Sequence, residues 1–200
     1  MLNLFEKEPI LLNLPDAEFI YYPNFFSKEK ADLFLETLFK EIAWQQDDIT
    51  IFGKKIAQPR LTALYGNEGK SYGYSNIVMH PHPINTTLTF IKDEIENIIN
   101  EHFTTVLLNL YRNEKDSNGW HADNEKELGR DPVIASVSFG EARMFQIKHN
   151  TKKEFKQSIL LEHGSLLVMK NGAQVHYKHQ IPKATKQKNP RINLTFRKIL

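Results

Sequence analysis

Apolar residues recur along this chain with two different periods, and the switch between them falls near residue 103. From Ala31 through Leu33, Phe34, Leu35, Leu38 and Phe39 to Ile42 the spacing is helical, which predicts a helix over about 28–42 with Ser27 placed to cap it. Lys30 stands where a capping box would carry Glu or Gln, so that cap rests on Ser27 alone. Leu88, Ile91, Ile95, Ile98 and Ile99 lie on one side of a second predicted helix over about 84–102. Ahead of the first helix, Phe19, Ile20, Tyr21 and Tyr22 suit a strand within 16–26. Between the helices, 49–52 and 55–57 read as a hairpin with Gly53-Lys54 at its tip.

Beyond residue 103 the helical period gives way to short strands. They are expected over 105–111, 134–139, 143–148, 156–161, 165–170 and 192–198, with loops rich in Gly, Asn, Asp and Pro between them. Helices followed by many closely spaced strands imply an α+β chain whose catalytic part is an antiparallel barrel or a double-sheet jelly roll. Two hundred residues suit one domain, expected over 1–200, and no internal repeat divides it.

Composition narrows the chemistry. The absence of cysteine excludes disulfides, thiolate zinc sites and iron–sulfur clusters, so any metal must be held by imidazole and carboxylate. Glu6, Lys7 and Glu8 break up the first apolar residues and argue against a signal peptide. No apolar run approaches a membrane span, so the expectation is a protein of the cytoplasm, or of the nucleus in a eukaryote, with no membrane partner. The net charge of +2 is too small to imply a polyanion partner by itself. Its distribution says more, because Lys148, His149, Lys152, Lys153, Lys156, Lys178, Lys183, Lys186 and Lys188 crowd the C-terminal half. Solvated loops and a phosphate-tracking surface both fit that crowding.

His121 and Asp123 stand two apart, and on an extended strand such side chains share a face. They would supply two ligands of a two-histidine, one-carboxylate iron site, the third being a histidine from a distant strand. His176 and His179 both qualify by position, and His163 beside Gly164 reads as structural or exposed. The segment from Arg191 to Arg197 alternates without a break: Arg191, Asn193, Thr195 and Arg197 share one face and Ile192, Leu194 and Phe196 the other. The polar face either meets solvent or lines a pocket. In a pocket two arginines require an anion between them, and a compact dicarboxylate suits because guanidinium binds carboxylate bidentately. Asn109 and Tyr111 project together in the same way, with Leu108 and Leu110 facing away.

These residues resemble the AlkB family of iron(II)/2-oxoglutarate dioxygenases, and within it the nucleic-acid demethylases. The resemblance runs from about 58 to 197. It rests on Pro59-Arg60-Leu61-Thr62-Ala63-Leu64-Tyr65-Gly66, on Asn109-Leu110-Tyr111, on His121-Ala122-Asp123-Asn124-Glu125, on the runs 134–140 and 163–167, on His179-Gln180-Ile181-Pro182, and on Arg191-x-Asn193-x-Thr195-x-Arg197. It implies a double-stranded β-helix core over about 104–200, with N-terminal helices and a nucleotide-recognition lid over about 1–103. It also implies iron(II) on His121, Asp123 and His179, and 2-oxoglutarate on Asn109, Tyr111, Arg191, Asn193, Thr195 and Arg197, with O2 as the other cosubstrate. The implied substrate is alkylated DNA, or RNA, bearing bases of the 1-methyladenine or 3-methylcytosine type. A monomer is expected to demethylate them, releasing formaldehyde, succinate and CO2. Phe52, Gly53 and Lys54 resemble a finger pushed into the base stack, Tyr72, Gly73, Tyr74 and Ser75 the base pocket, and Asn124 and Glu125 residues that touch the base. Two rival readings fit the same residues: an oxygenase of a protein or small molecule, and a non-catalytic nucleic-acid-binding barrel.

Overall fold

The structure is a computed structural model, and it describes residues 8–51, 53–66, 72–74 and 77–200. The helical periods become α1 (Lys28–Glu41) and α2 (Thr86–Ile99). Ser27 caps α1 by accepting from the Lys30 amide, and Asn85 caps α2 by accepting from Leu88. α2 is shorter than the expected 84–102 because Asn100 adopts the left-handed conformation (φ 52°) that ends a helix.

The N-terminal strands are β1 (Ile10–Leu11), β2 (Glu18–Tyr22), β3 (Asp48–Ile51), β4 (Lys54–Ala57), β5 (Leu61–Gly66), β6 (Tyr72–Tyr74) and β7 (Ile77–Met79). After α2 come β8 (Thr105–Tyr111), β9 (Asn118–His121), β10 (Ile134–Gly140), β11 (Arg143–His149), β12 (Lys156–Leu161) and β13 (Ser165–Lys170). The short helix α3 (Ala173–His176) then leads into β14 (Tyr177–Ile181) and β15 (Arg191–Arg197). The expected C-terminal strands all form, and the expected hairpin is β3 paired with β4, with Gly53 at φ +76° between them. β5 and β9 lack a clean two-residue alternation, and in β14 the buried His179 interrupts the apolar side between Tyr177 and Ile181, which is why periodicity alone does not announce them.

Seven strands make one antiparallel sheet in the order β1-β2-β13-β10-β15-β8-β5, and four make a second in the order β12-β11-β14-β9. This double-sheet arrangement is the jelly roll expected from the sequence. The larger sheet is covered on both faces. Ile192, Leu194 and Phe196 of β15, with Leu108 and Leu110 of β8, pack with Leu38, Leu88, Ile91 and Ile95 of the helices. Leu107 and Tyr111 of β8 instead meet Phe145, Ile147, Leu161 and Ile181 of the smaller sheet. The polar stripe of β15 therefore cannot face solvent. It is enclosed between the sheets.

The turn from β10 to β11 sets how closely these layers approach. Gly140 sits at φ +89°, and a Cβ there would lie 2.5 Å from the Pro190 carbonyl oxygen at the entry to β15. Gly140→Ala is expected to cost about 2–3 kcal/mol through left-handed strain and backbone overlap, read by thermal unfolding.

Candidate metal and anion site

β9 is the edge strand of the smaller sheet and pairs with β14, placing His121 opposite His179. The imidazole rings meet edge to face with centroids 4.3 Å apart. β9 ends at His121, so Asp123 lies beyond the paired strand, yet its Oδ2 is 3.6 Å from His179 Nε2. One ligand atom from each of the three residues lies within 4.8 Å of the others, a group that could hold a metal ion. His176, the other histidine allowed by spacing, is exposed and packs against His149. His163 is structural, as expected, accepting from the Gly140 amide and contacting Asp32.

Neighbouring groups aim the ligands. Gly119 O accepts from His121 Nδ1 at 2.7 Å, which puts the imidazole lone pair on Nε2, where the Asn118 amide nitrogen lies 3.2 Å away. Phe145 stacks on His179 at 5.1 Å. The Asp123 amide donates to Gln174 Oε1 at 2.8 Å. Arg197 Nη2 lies 2.5 Å from Asp123 Oδ1, both side chains being buried. Burial alone would raise the Asp123 carboxyl, but Arg197, followed by the two histidines, holds it down at about 2. Burial and then the neighbouring His121 push His179 down to about 3, and burial also lowers His121. The donor set is thus one carboxylate and two neutral imidazoles at neutral pH, which fits a divalent iron ion.

Those depressed values fix the sign of the acid response. His179 stays neutral in the folded chain while the unfolded chain takes up its proton below pH 6.5, so metal-free stability falls as pH falls from 6.5 toward 3. For this one group the loss at pH 5 is about 2 kcal/mol. Urea unfolding at pH 7 and pH 5 measures it, and His179→Gln is expected to shrink the difference.

The anion side of the same cavity is walled by the alternating stripe. Arg191, Asn193, Thr195 and Arg197 all face it, with Asn109 and Tyr111 from β8 opposite Asn193 and Arg191 in register. Arg191 is 1% exposed. Its Nη2 donates to Ser138 Oγ at 2.8 Å, its guanidinium stands 5.1 Å from the Tyr111 ring, and its Nε and Nη1 have no hydrogen-bond partner. Burial pushes this guanidinium down to about 10, so it remains a cation. A buried cation with two donors unspent is costly unless an anion meets it. Asn193 donates to Ser136 Oγ and Val137 O and accepts from Thr195 Oγ1, so the middle of the stripe is already bonded. Both arginines line the cavity, and Arg197 also pairs with Asp123 of the metal cluster while Arg191 is held by Ser138 and the Tyr111 ring.

Three residues with no assigned role in the sequence reading support this site. Arg60, buried, donates from Nε to Asn109 Oδ1 at 2.7 Å and orients that amide. Arg143 donates to the carbonyls of Asn113, Asp116 and Pro182, tying the approach to β9 to the exit of β14. Gln174 holds the Asp123 backbone and leaves no signal in the sequence.

The base-contact residues are less gathered. Asn124 is exposed and Glu125 half-buried, and neither borders the cavity. Gly53 lies between β3 and β4, Lys54 opens β4, and Tyr72, Gly73 and Tyr74 form β6, paired with β7. Phe52 and Ser75 lie outside the described residues.

Residues 18–197 match the 2OG-Fe(II) oxygenase superfamily. With that match and the relatives below, the chain belongs to the 2OG-Fe(II) oxygenases and, among them, to the AlkB family. It is similar to alpha-ketoglutarate-dependent dioxygenase alkB homolog 3 of Homo sapiens, 41% identical over 192 residues, or 89% of this chain and 65% of that protein. It is also similar to DNA oxidative demethylase ALKBH2 of Homo sapiens, 36% identical over 189 residues, covering 90% of this chain and 72% of that one. The chain spans just under two thirds of the human and bovine alkB homolog 3 proteins, 65% and 64% of their lengths. The solved structure of OsALKBH1 shares the fold, with a TM-score of 0.67 over 94% of this chain and all of that one, at 14% identity. Among the described residues, no helix is long and apolar enough to cross a membrane.

Proposed function

We propose that this chain is an iron(II)- and 2-oxoglutarate-dependent oxidative demethylase of N-alkylated bases in nucleic acid, DNA in the first instance. The observation that carries the reaction class is the buried Arg191 with donors unspent, in one cavity with a two-imidazole, one-carboxylate cluster. The nucleic-acid class rests on the likeness to relatives named as alkB homolog 3 and as a DNA oxidative demethylase.

His121, Asp123 and His179 would hold iron(II). With 2-oxoglutarate and O2 the metal supplies the oxidation of an N-methyl carbon, which leaves as formaldehyde while the cosubstrate becomes succinate and CO2. Arg191, held in place by Ser138 and the Tyr111 ring, would take a carboxylate of 2-oxoglutarate. Arg197 keeps Asp123 ionised and aimed. Asn109, oriented by Arg60, offers its amide nitrogen to the bound acid. Leu107, Phe145, Leu161 and Ile181 complete the wall and exclude water from the oxidation.

Incubation with iron(II), ascorbate, 2-oxoglutarate and a panel of 1-methyladenine and 3-methylcytosine oligonucleotides should give formaldehyde and a mass loss of one methylene per lesion. Succinate formation without methyl loss from any DNA or RNA in the panel would overturn the nucleic-acid reading and point to a protein or small-molecule substrate. No 2-oxoglutarate consumption at all would overturn the reaction class.

A further inference from the structure

The outer face of the smaller sheet carries a row of like charges that the cavity does not use. Lys178 of β14 is the cross-strand partner of Lys148 of β11, and Lys148 is the partner of Lys156 of β12. All three are exposed, and among the described residues no carboxylate forms an ion pair with any of them. Like charges directly opposite on neighbouring strands destabilise a sheet, so the row works against the fold unless an anion lies along it. The other outward positions of these strands bear Gln146, Gln180, Ser158, Met144 and Leu160, with no acid among them.

Beside the row is an aromatic wall. Trp120, on the edge strand β9, is 38% exposed, and Lys148 Nζ stands 4.1 Å from the centre of its ring. Trp120, Gln146, Lys148, Lys156 and Ser158 line an open groove on this face. Its neighbour on β9, His121, lines the cavity on the opposite side of the sheet.

We propose that this face is a second nucleic-acid site, taking a nucleotide of the substrate strand outside the cavity, with its phosphate on Lys148, Lys156 and Lys178 and its base on Trp120. Ammonium groups beside an exposed indole are the two elements by which single strands are held without sequence preference, charge for the backbone and a stacking platform for the base. The amide and hydroxyl of Gln146 and Ser158 add donors for sugar or phosphate oxygens. Adjacent strands lie about 4.8 Å apart, so the row spans about 10 Å, room for one or two phosphates. The site rests on the nucleic-acid reading above and extends it from the damaged base to the undamaged strand around it.

The test uses the full chain and an unmethylated 20-nucleotide thymidine strand. The chain has two tryptophans, Trp44 and Trp120. Binding should quench fluorescence in the wild type and in Trp44→Phe but not in Trp120→Ala, which should bind about tenfold more weakly. In Lys148→Gln/Lys156→Gln/Lys178→Gln the slope of log K against log salt should fall by about 1, since each phosphate contributes about 0.7 on a single strand. Turnover of a methylated trinucleotide should stay within twofold in both variants. An unchanged salt slope and unchanged quenching would overturn the site, and so would polyglutamate binding and quenching Trp120 as strongly as the oligonucleotide does. Failure of the wild type to release formaldehyde from every methylated strand falls on the assigned reaction instead, and the two failures are read from separate assays.

Discussion

Arg191→Met should abolish the response to 2-oxoglutarate while leaving the chain at least as stable as the wild type. Arg191 is buried, with Nε and Nη1 unspent, so the ligand-free fold carries the cost of a desolvated cation. Exchanging such a charge for an apolar side chain of similar length is neutral or stabilising. The same exchange removes one half of a buried, hydrogen-bonded charge pair once the dicarboxylate is present, a loss of about 2–5 kcal/mol. The apparent affinity for 2-oxoglutarate should therefore drop by about a hundredfold or more. Thermal unfolding with and without the acid reads both halves, because a ligand at 100 times its Kd adds about 2.7 kcal/mol to the wild type and nothing to a variant that no longer binds it. A variant that keeps the ligand-induced shift would remove Arg191 from the site.

Asp123→Ala should be damaging twice over. It removes the carboxylate of the metal cluster, so iron-dependent succinate formation should fall to background. It also deprives Arg197 of the carboxylate 2.5 Å away in the interior, which costs about 3–5 kcal/mol. The two losses separate in the double variant Asp123→Ala/Arg197→Met, which should recover most of the stability in urea unfolding and none of the activity. Recovery of turnover in the double variant would mean that the carboxylate serves only to neutralise Arg197.

The stripe from Arg191 to Arg197 was the most legible part of the site, because a strand that alternates fully has only two faces and both had to go somewhere. What the sequence could not say is that both faces are interior, and that follows from β15 lying in the middle of the larger sheet under two helices. His121 and Asp123 were readable as a pair, although Asp123 reaches the cluster from beyond the strand rather than along it. The choice of His179 over His176 needed the family motif, since the two differ by less than one helical turn. In the structure α3 ends between them, leaving one on its surface and the other inside the sheet. Arg60, Gln174 and Arg143 became supports only through contacts across 49, 51 and 39 residues of chain, to Asn109, Asp123 and Pro182, which no local pattern encodes. The helix ends were set by single residues, as Asn100 shows for α2.

The pairing of Arg197 with Asp123 has a consequence for the order in which this protein is assembled. Where a metal is the sole neutraliser of its own ligands, a chain cannot close until the ion arrives, and a chelator unfolds it. Here the positive charge that offsets the buried carboxylate comes from the chain itself, on a strand central to the larger sheet. Folding should therefore not wait for the ion: a chelator is expected to strip iron and leave the chain folded, with little change in the far-ultraviolet circular dichroism.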